Sequence, residues 1–173
     1  MMSLFAARVG LVTATVAIFL ASEMPLTANA SEGDWGINGT FIATSNGDYA
    51  KTNDLYRNEV SVRQTWSVTT TCVNPTDCVG NVTSDQGWNA PIYQKSGIWY
   101  VKRAVPRWEP CPDGTTADGL QMFRFFPADP VTGEARPMGS NAFLGEDITK
   151  SASGSCGISK QLYINMPFKL IAV

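Results

Sequence analysis

Residues 59–85, EVSVRQTWSVTTTCVNPTDCVGNVTSD, alternate in polarity along most of their length and constrain the fold more than any other stretch. Val60, Val62, Gln64, Trp66, Val68, Thr70 and Cys72 fall on one face, and Glu59, Ser61, Arg63, Thr65, Ser67, Thr69 and Thr71 on the other. A period of two, rich in Val, Thr and Trp, specifies a half-buried strand, because successive side chains of extended backbone point to opposite faces. Between Cys72 and Cys78, Asn74, Pro75 and Asp77 supply turn chemistry. Setting Cys72 opposite Cys78 pairs Val68 with Val82 and Trp66 with Ser84. The stretch predicts a β-hairpin pinned by a disulfide.

The rest of the chain reads in the same idiom. GTFIAT (39–44) is a short strand, and the Asn-, Asp- and Gly-rich residues 45–58 are a long surface loop. Residues 86–89 turn, and PIYQK (91–95) and IWYVKRAV (98–105) flank Ser96-Gly97, a two-residue hairpin signal. Pro106, Pro110 and Pro112 lie within 106–116, which predicts a rigid loop and not a central strand. Residues 120–127, 142–149 and 161–173 are further strands, separated by turn-rich 129–140 and a Ser/Gly loop holding Cys156. Pro167 places an edge or a bulge in the last of them. These patterns predict an all-β fold, an antiparallel meander of about eight strands. It is barrel-like (lipocalin-like) or a sandwich, stapled by disulfides.

The first residues carry an export address. Arg8 precedes an apolar run, Val9 to Ala21, and Ala28-Asn29-Ala30 offers small residues for cleavage before Ser31. Residues 1–30 are therefore read as a signal peptide and 31–173 as a single exported domain. Retention as a membrane anchor is the alternative, although the run is shorter than the roughly 20 residues a spanning helix needs. The four cysteines all lie in the exported part, where an even count argues for disulfides. Of three pairings, Cys72–Cys78 with Cys111–Cys156 follows from the hairpin. On the chain-entropy argument the short loop is worth roughly 2.4 kcal/mol and the long one about 4 kcal/mol. A zinc site would need four thiolates at uneven spacing and no histidine.

Function is constrained mostly by what is missing. The chain has no His, which removes Ser-His-Asp and Cys-His catalysis, and oxidised cysteines offer no thiolate. The glycines are scattered in turns and form no phosphate-cradling loop. A net charge of −2 gives no pull toward nucleic acid. Paired carboxylates are the remaining acid–base option, but adjacent Glu146 and Asp147 point to opposite faces of one strand. Glu146 shares a face with Ala142, Leu144 and Ile148, the face expected inward. There a carboxylate needs a partner such as Arg124 or Arg63, or a polar cavity. An outward Glu146 is the plainer alternative. Trp88 and Trp108 fall in loops and are, with Glu146, the candidate binding residues. No catalytic residue, metal or cofactor is expected.

The anchor TWSVTTTCVNPTDCVGNVTSDQGW, with GTFIATSNGDYAKTND upstream and YVKRAVPRWEPCPDGT and INMPFKL downstream, resembles small exported mycobacterial proteins of uncharacterised function. The likeness covers most of residues 39–170. A looser version of the Trp…Cys…Cys strand pair is similar to the outer domains of some mycobacterial Ser/Thr kinases. GDWGINGT resembles the Gly-x-Trp opening of lipocalins. The resemblance implies a secreted or envelope-located actinobacterial protein and no catalytic residues. The expected function is binding of an unknown envelope or extracellular partner through loops 45–58, 86–89 and 106–116. No nucleic acid and no membrane span after signal cleavage are expected. The alternative is a lipocalin-like carrier of a lipid or small apolar ligand, its cavity lined by Trp66, Val68, Val82, Phe123 or Phe125 and Leu162.

Overall fold

The computed structural model describes residues 35–173; the expected signal segment and its cleavage site lie outside the described residues. Ten strands occur in chain order: β1 (Gly39–Ser45), β2 (Lys51–Thr52), β3 (Leu55–Tyr56), β4 (Val62–Asn74), β5 (Asp77–Ser84), β6 (Asn89–Lys95), β7 (Ile98–Pro110), β8 (Thr116–Pro127), β9 (Ala142–Ser151) and β10 (Tyr163–Ala172). Eight of them pair antiparallel in the order β1-β4-β5-β6-β7-β8-β9-β10, and β10 returns to β1 to close a barrel. The closing register runs from Phe41 opposite Ala172 to Ser45 opposite Phe168. Closure decides between barrel and sandwich, and it leaves none of the eight strands as an open edge.

The hairpin register matches the expectation from the cysteines. Trp66 faces Ser84, Val68 faces Val82 and Cys72 faces Cys78. Both disulfides form, with Cα separations of 4.0 Å for Cys72–Cys78 and 4.9 Å for Cys111–Cys156. Two stretches expected as loop are ordered differently. Residues 51–56 fold into a small β2–β3 hairpin, attached to β10 through Ile164 opposite Thr52 and Asn165 opposite Lys51. Residues 106–110 continue β7 beyond the barrel as a ribbon with β8. Pro106 is tolerated because the register shifts between Val105 and Glu109, so it makes no ladder bond there, and Pro110 comes at the strand's last position, opposite Thr116. Arg107, at φ 53°, absorbs the shift, and its N–H donates to Asp118 Oδ1 at 2.8 Å.

The interior is packed with aromatic side chains. Trp66 is fully buried, with Phe123 at 4.9 Å, Phe168 at 5.4 Å and Phe125 at 6.3 Å between ring centroids. Two inward glycines let strands approach where bulk would not fit. A Cβ on Gly145 would run into the carbonyl of Arg124, and one on Gly80 into that of Thr69. Residues 35–38 cover one end of the barrel. Ile37 is buried there, its N–H donates to Thr70 Oγ1 at 2.8 Å, and Thr70 N–H donates to Asn38 Oδ1 at 2.8 Å. Met138, from the loop between β8 and β9, packs at the core too and accepts from Gln94 Nε2 at 3.4 Å.

Candidate functional site

The opposite end of the barrel interior is polar. Inward positions on six of the eight barrel strands supply Ser45, Gln64, Ser84, Arg103, Gln121 and Asp147. Asp147 is 1% exposed. Its Oδ2 accepts from the Ser45 hydroxyl at 2.7 Å, and Gln121 Nε2 donates to both carboxylate oxygens at 2.8 and 3.0 Å. Arg103 Nε donates to Gln121 Oε1 at 2.7 Å, and its guanidinium lies 4.6 Å from the Trp88 ring centroid. A chain of contacts thus links Ser45, Asp147, Gln121, Arg103 and Trp88. Burial pushes the Asp147 carboxyl up, against hydrogen bonds from Ser45 and Gln121 and the charge of Arg103. Ser45 is itself buried, so no substrate reaches its hydroxyl. This network is a packed polar layer and holds no accessible nucleophile or base.

Each sequence candidate has a definite place. Trp88 sits in the β5–β6 turn, partly buried over the barrel mouth. It meets Trp66 edge-on at 5.6 Å and stacks on Phe123 at 6.3 Å. Trp108 belongs to the β7–β8 ribbon and covers Gly119, where an added Cβ would come within 2.8 Å of its indole. Glu146 faces outward, the reverse of the expectation for its strand. Phe123 opposite Asp147 and Phe125 opposite Gly145 point inward, so the register with β8 turns Phe143, Gly145 and Asp147 into the core. Ala142, Leu144 and Glu146 are left on the outer surface. The carboxylate takes one of the two partners expected for it: Arg124 Nε donates to Glu146 Oε2 at 2.7 Å. Asn165 Nδ2 donates to Oε1 at 3.3 Å.

Around Glu146 the outer wall is concave. One groove of about 370 Å³ is lined by Tyr49, Lys51, Tyr56, Glu146, Asn165 and Pro167. A second of about 410 Å³ runs beside it along Ile98, Arg124, Phe126, Leu144 and Glu146. A third of about 530 Å³ shares Leu144 and Pro167 and extends over Ile42, Ile171, Arg63 and Lys169. Tyr49 and Tyr56 are 63% and 75% exposed, and Lys51 Nζ sits 4.9 Å from the Tyr56 centroid. The β2–β3 hairpin therefore forms one wall of the groove that Glu146 shares.

Residue reasoning missed Asp147, Arg103 and the two tyrosines. Asp147 was visible only as the neighbour of Glu146 with opposite parity. Tyr49 and Tyr56 lie in residues 45–58, a stretch expected to make contacts as a loop but with neither tyrosine singled out. Their signal was composition: two aromatics amid Asn, Asp and Gly have no core to enter.

No family model matches the sequence, and no curated protein matches it. A solved structure, the monomer form of the M. tuberculosis PknI sensor domain, is similar in fold. Its TM-score is 0.56 at 15% identity, over 79% of this chain and 87% of that one. At that identity the likeness concerns the fold.

Proposed function

We propose that this chain is an exported, non-catalytic binding domain of the cell envelope or medium, taking its partner on the outside of a filled barrel. The observation that carries the reading is the interior: of the residues a carrier would use as cavity lining, Trp66, Val68, Val82, Phe123 and Phe125 are buried against one another, and Leu162 lies outside that cluster, ahead of the last strand. An eight-stranded barrel holds either its own side chains or one small ligand, and here side chains occupy the middle. Two disulfides agree with an oxidising compartment. The fold shared with a sensor domain supports a binding role. Glu146 and Asp147 face opposite sides, and histidine is absent, which speaks against turnover. Of the three loops expected to make contacts, 45–58 presents exposed aromatics beside a groove, whereas Trp88 and Trp108 pack on their own domain.

Native mass spectrometry of the chain after exposure to a lipid extract tests this. The expected spectrum is the bare chain. A lipid retained one per chain, and lost when Trp66 or Phe123 is replaced, would replace the surface reading with the carrier.

A further inference from the structure

The outer wall carries an arrangement of side chains that its packing does not require. Tyr93, Tyr100, Arg124, Glu146 and Pro167 are direct cross-strand neighbours on β6, β7, β8, β9 and β10. Paired residues share a face, so all five point outward, but β6 and β10 lie four strands apart in a closed ring of eight and the row curves half-way round the barrel. Tyr93 and Tyr100 stack at 5.3 Å with 17° between their planes on the part turned away from Glu146. The β10 end of the row opens into the groove walled by Tyr49 and Tyr56. Beside that groove lies the fan in which Glu146 is held by Arg124 and Asn165.

We propose that this groove forms a saccharide-binding band, with Tyr49 and Tyr56 as stacking platforms and the Arg124–Glu146–Asn165 fan as the hydrogen-bonding centre. The inference rests on the reading of the chain as a surface binder. A sugar ring has an apolar C–H face and a rim of hydroxyls, and it needs both an aromatic plane and fixed planar donors and acceptors. Tyrosine supplies an apolar body with a polar tip and loses little entropy on binding. The fan supplies charge-assisted partners already oriented by their mutual bonds. It uses one donor of Arg124, whose guanidinium has five. The groove, at about 370 Å³, lies at the small end of ligand sites and is open along one side, as an elongated chain requires.

Other ligand classes fit less well. The central Glu146 opposes a phosphate or an acidic peptide. An acyl chain finds tyrosine, lysine, asparagine and glutamate lining this groove instead of aliphatic side chains. The aliphatic floor of Ile42, Leu144 and Ile171 belongs to the neighbouring furrow.

The test is two-dimensional NMR of the full chain titrated with chitohexaose and, separately, cellohexaose. Parallel arms use vesicles of anionic phospholipid and a poly-glutamate peptide. Saturable shifts at Lys51, Tyr56, Gly145, Glu146 and Asn165, with none at Val79 on the far side of the barrel, are expected from at least one hexasaccharide. The Tyr49→Ala/Tyr56→Ala double substitution should weaken that binding about tenfold. Both tyrosines are exposed, so its melting temperature should stay at the wild-type value. Glu146→Gln should weaken binding several-fold while keeping the side chain's shape. Absence of shifts with both sugars, shifts confined to other faces, or binding only to vesicles or peptide would overturn the saccharide band. Those outcomes leave the surface-binding reading intact if native mass spectrometry shows a bare chain. An internal lipid would overturn both.

Discussion

Two adjacent acids on β9 meet opposite fates, and the contrast shows how much one residue decides. Alternation along 142–151 separates Glu146 from Asp147, but parity alone does not say which faces inward; the aromatic pair Phe123 and Phe125 on β8 does, through the register. Counting aliphatic residues favoured the wrong face because the outer wall here is itself partly apolar. Burying Asp147 has a consequence in solution. A carboxyl whose folded-state pKa is raised contributes stability that is complete below the unfolded-state pKa and is lost as pH rises through the raised value. Asp85 and Asp129 behave oppositely, held down first by backbone N–H donors from Thr65 and Thr132, and they lose stability as pH falls. Thermal melts of wild type against Asp147→Asn remove those common contributions. Between about pH 3 and pH 8 the wild type should lose ground to the variant as pH rises. A difference that is flat, or that moves the other way, would mean the Ser45 and Gln121 bonds outweigh burial. Trp66 offers a second check. Its indole N–H is buried without a partner, a cost of about 1–3 kcal/mol. Trp66→Phe removes that donor as well as volume, so urea unfolding should show a loss under about 1.5 kcal/mol, against about 3–5 kcal/mol for Trp66→Ala.

At the scale of elements, local chemistry announced what the backbone does wherever the signal was a period or a pin. The β4–β5 hairpin is the clearest case, because two cysteines and an alternating run specify the same register independently. The β7–β8 ribbon is the counter-case. Three prolines argue against a strand, yet a register shift takes Pro106 out of the ladder, Pro110 is the last residue of the strand and Pro112 lies beyond it. The β2–β3 hairpin was equally hidden, since two-residue strands carry no period to read. The disulfides divide the labour. Cys72–Cys78 pins neighbours that hydrogen bonds already hold, whereas Cys111–Cys156 joins the ribbon to the β9–β10 connection across 45 residues. Replacing Cys111 and Cys156 by serine should cost about 4 kcal/mol, against roughly 2.4 kcal/mol for the same change at Cys72 and Cys78. Denaturant midpoints of the two double variants check the order. Equal costs would mean that the ribbon is held by its packing, for instance Trp108 on Gly119, and not by the bond.

The whole molecule closes through its two distant strands, β1 and β10, which makes the barrel depend on contacts at the largest sequence separation. Closure of this kind is slow to form, because the chain between must order first. It also leaves one mouth to be covered by whatever precedes β1. Residues 35–38 do that: Ile37 is buried in the core cluster, and the peptide exchanges hydrogen bonds with both the Thr70 hydroxyl and its backbone. Asn38 lies in an Asn-x-Thr sequence, but its amide oxygen is engaged by the Thr70 N–H, so here the residue acts as a clasp. A chain that begins at residue 35 and one that begins at the first strand are therefore different molecules. Deleting residues 1–38 should cost about 3–6 kcal/mol relative to deleting 1–34, from buried Ile37, Trp35 packed against the core and the lost hydrogen bonds. Urea unfolding of the two truncations measures it, with slopes expected to be nearly equal because the barrel itself is unchanged. If the shorter chain were as stable as the longer, the mouth would be sealed by Met138 and the β8–β9 loop alone, and residues 35–38 would be a tether resting on a barrel already complete.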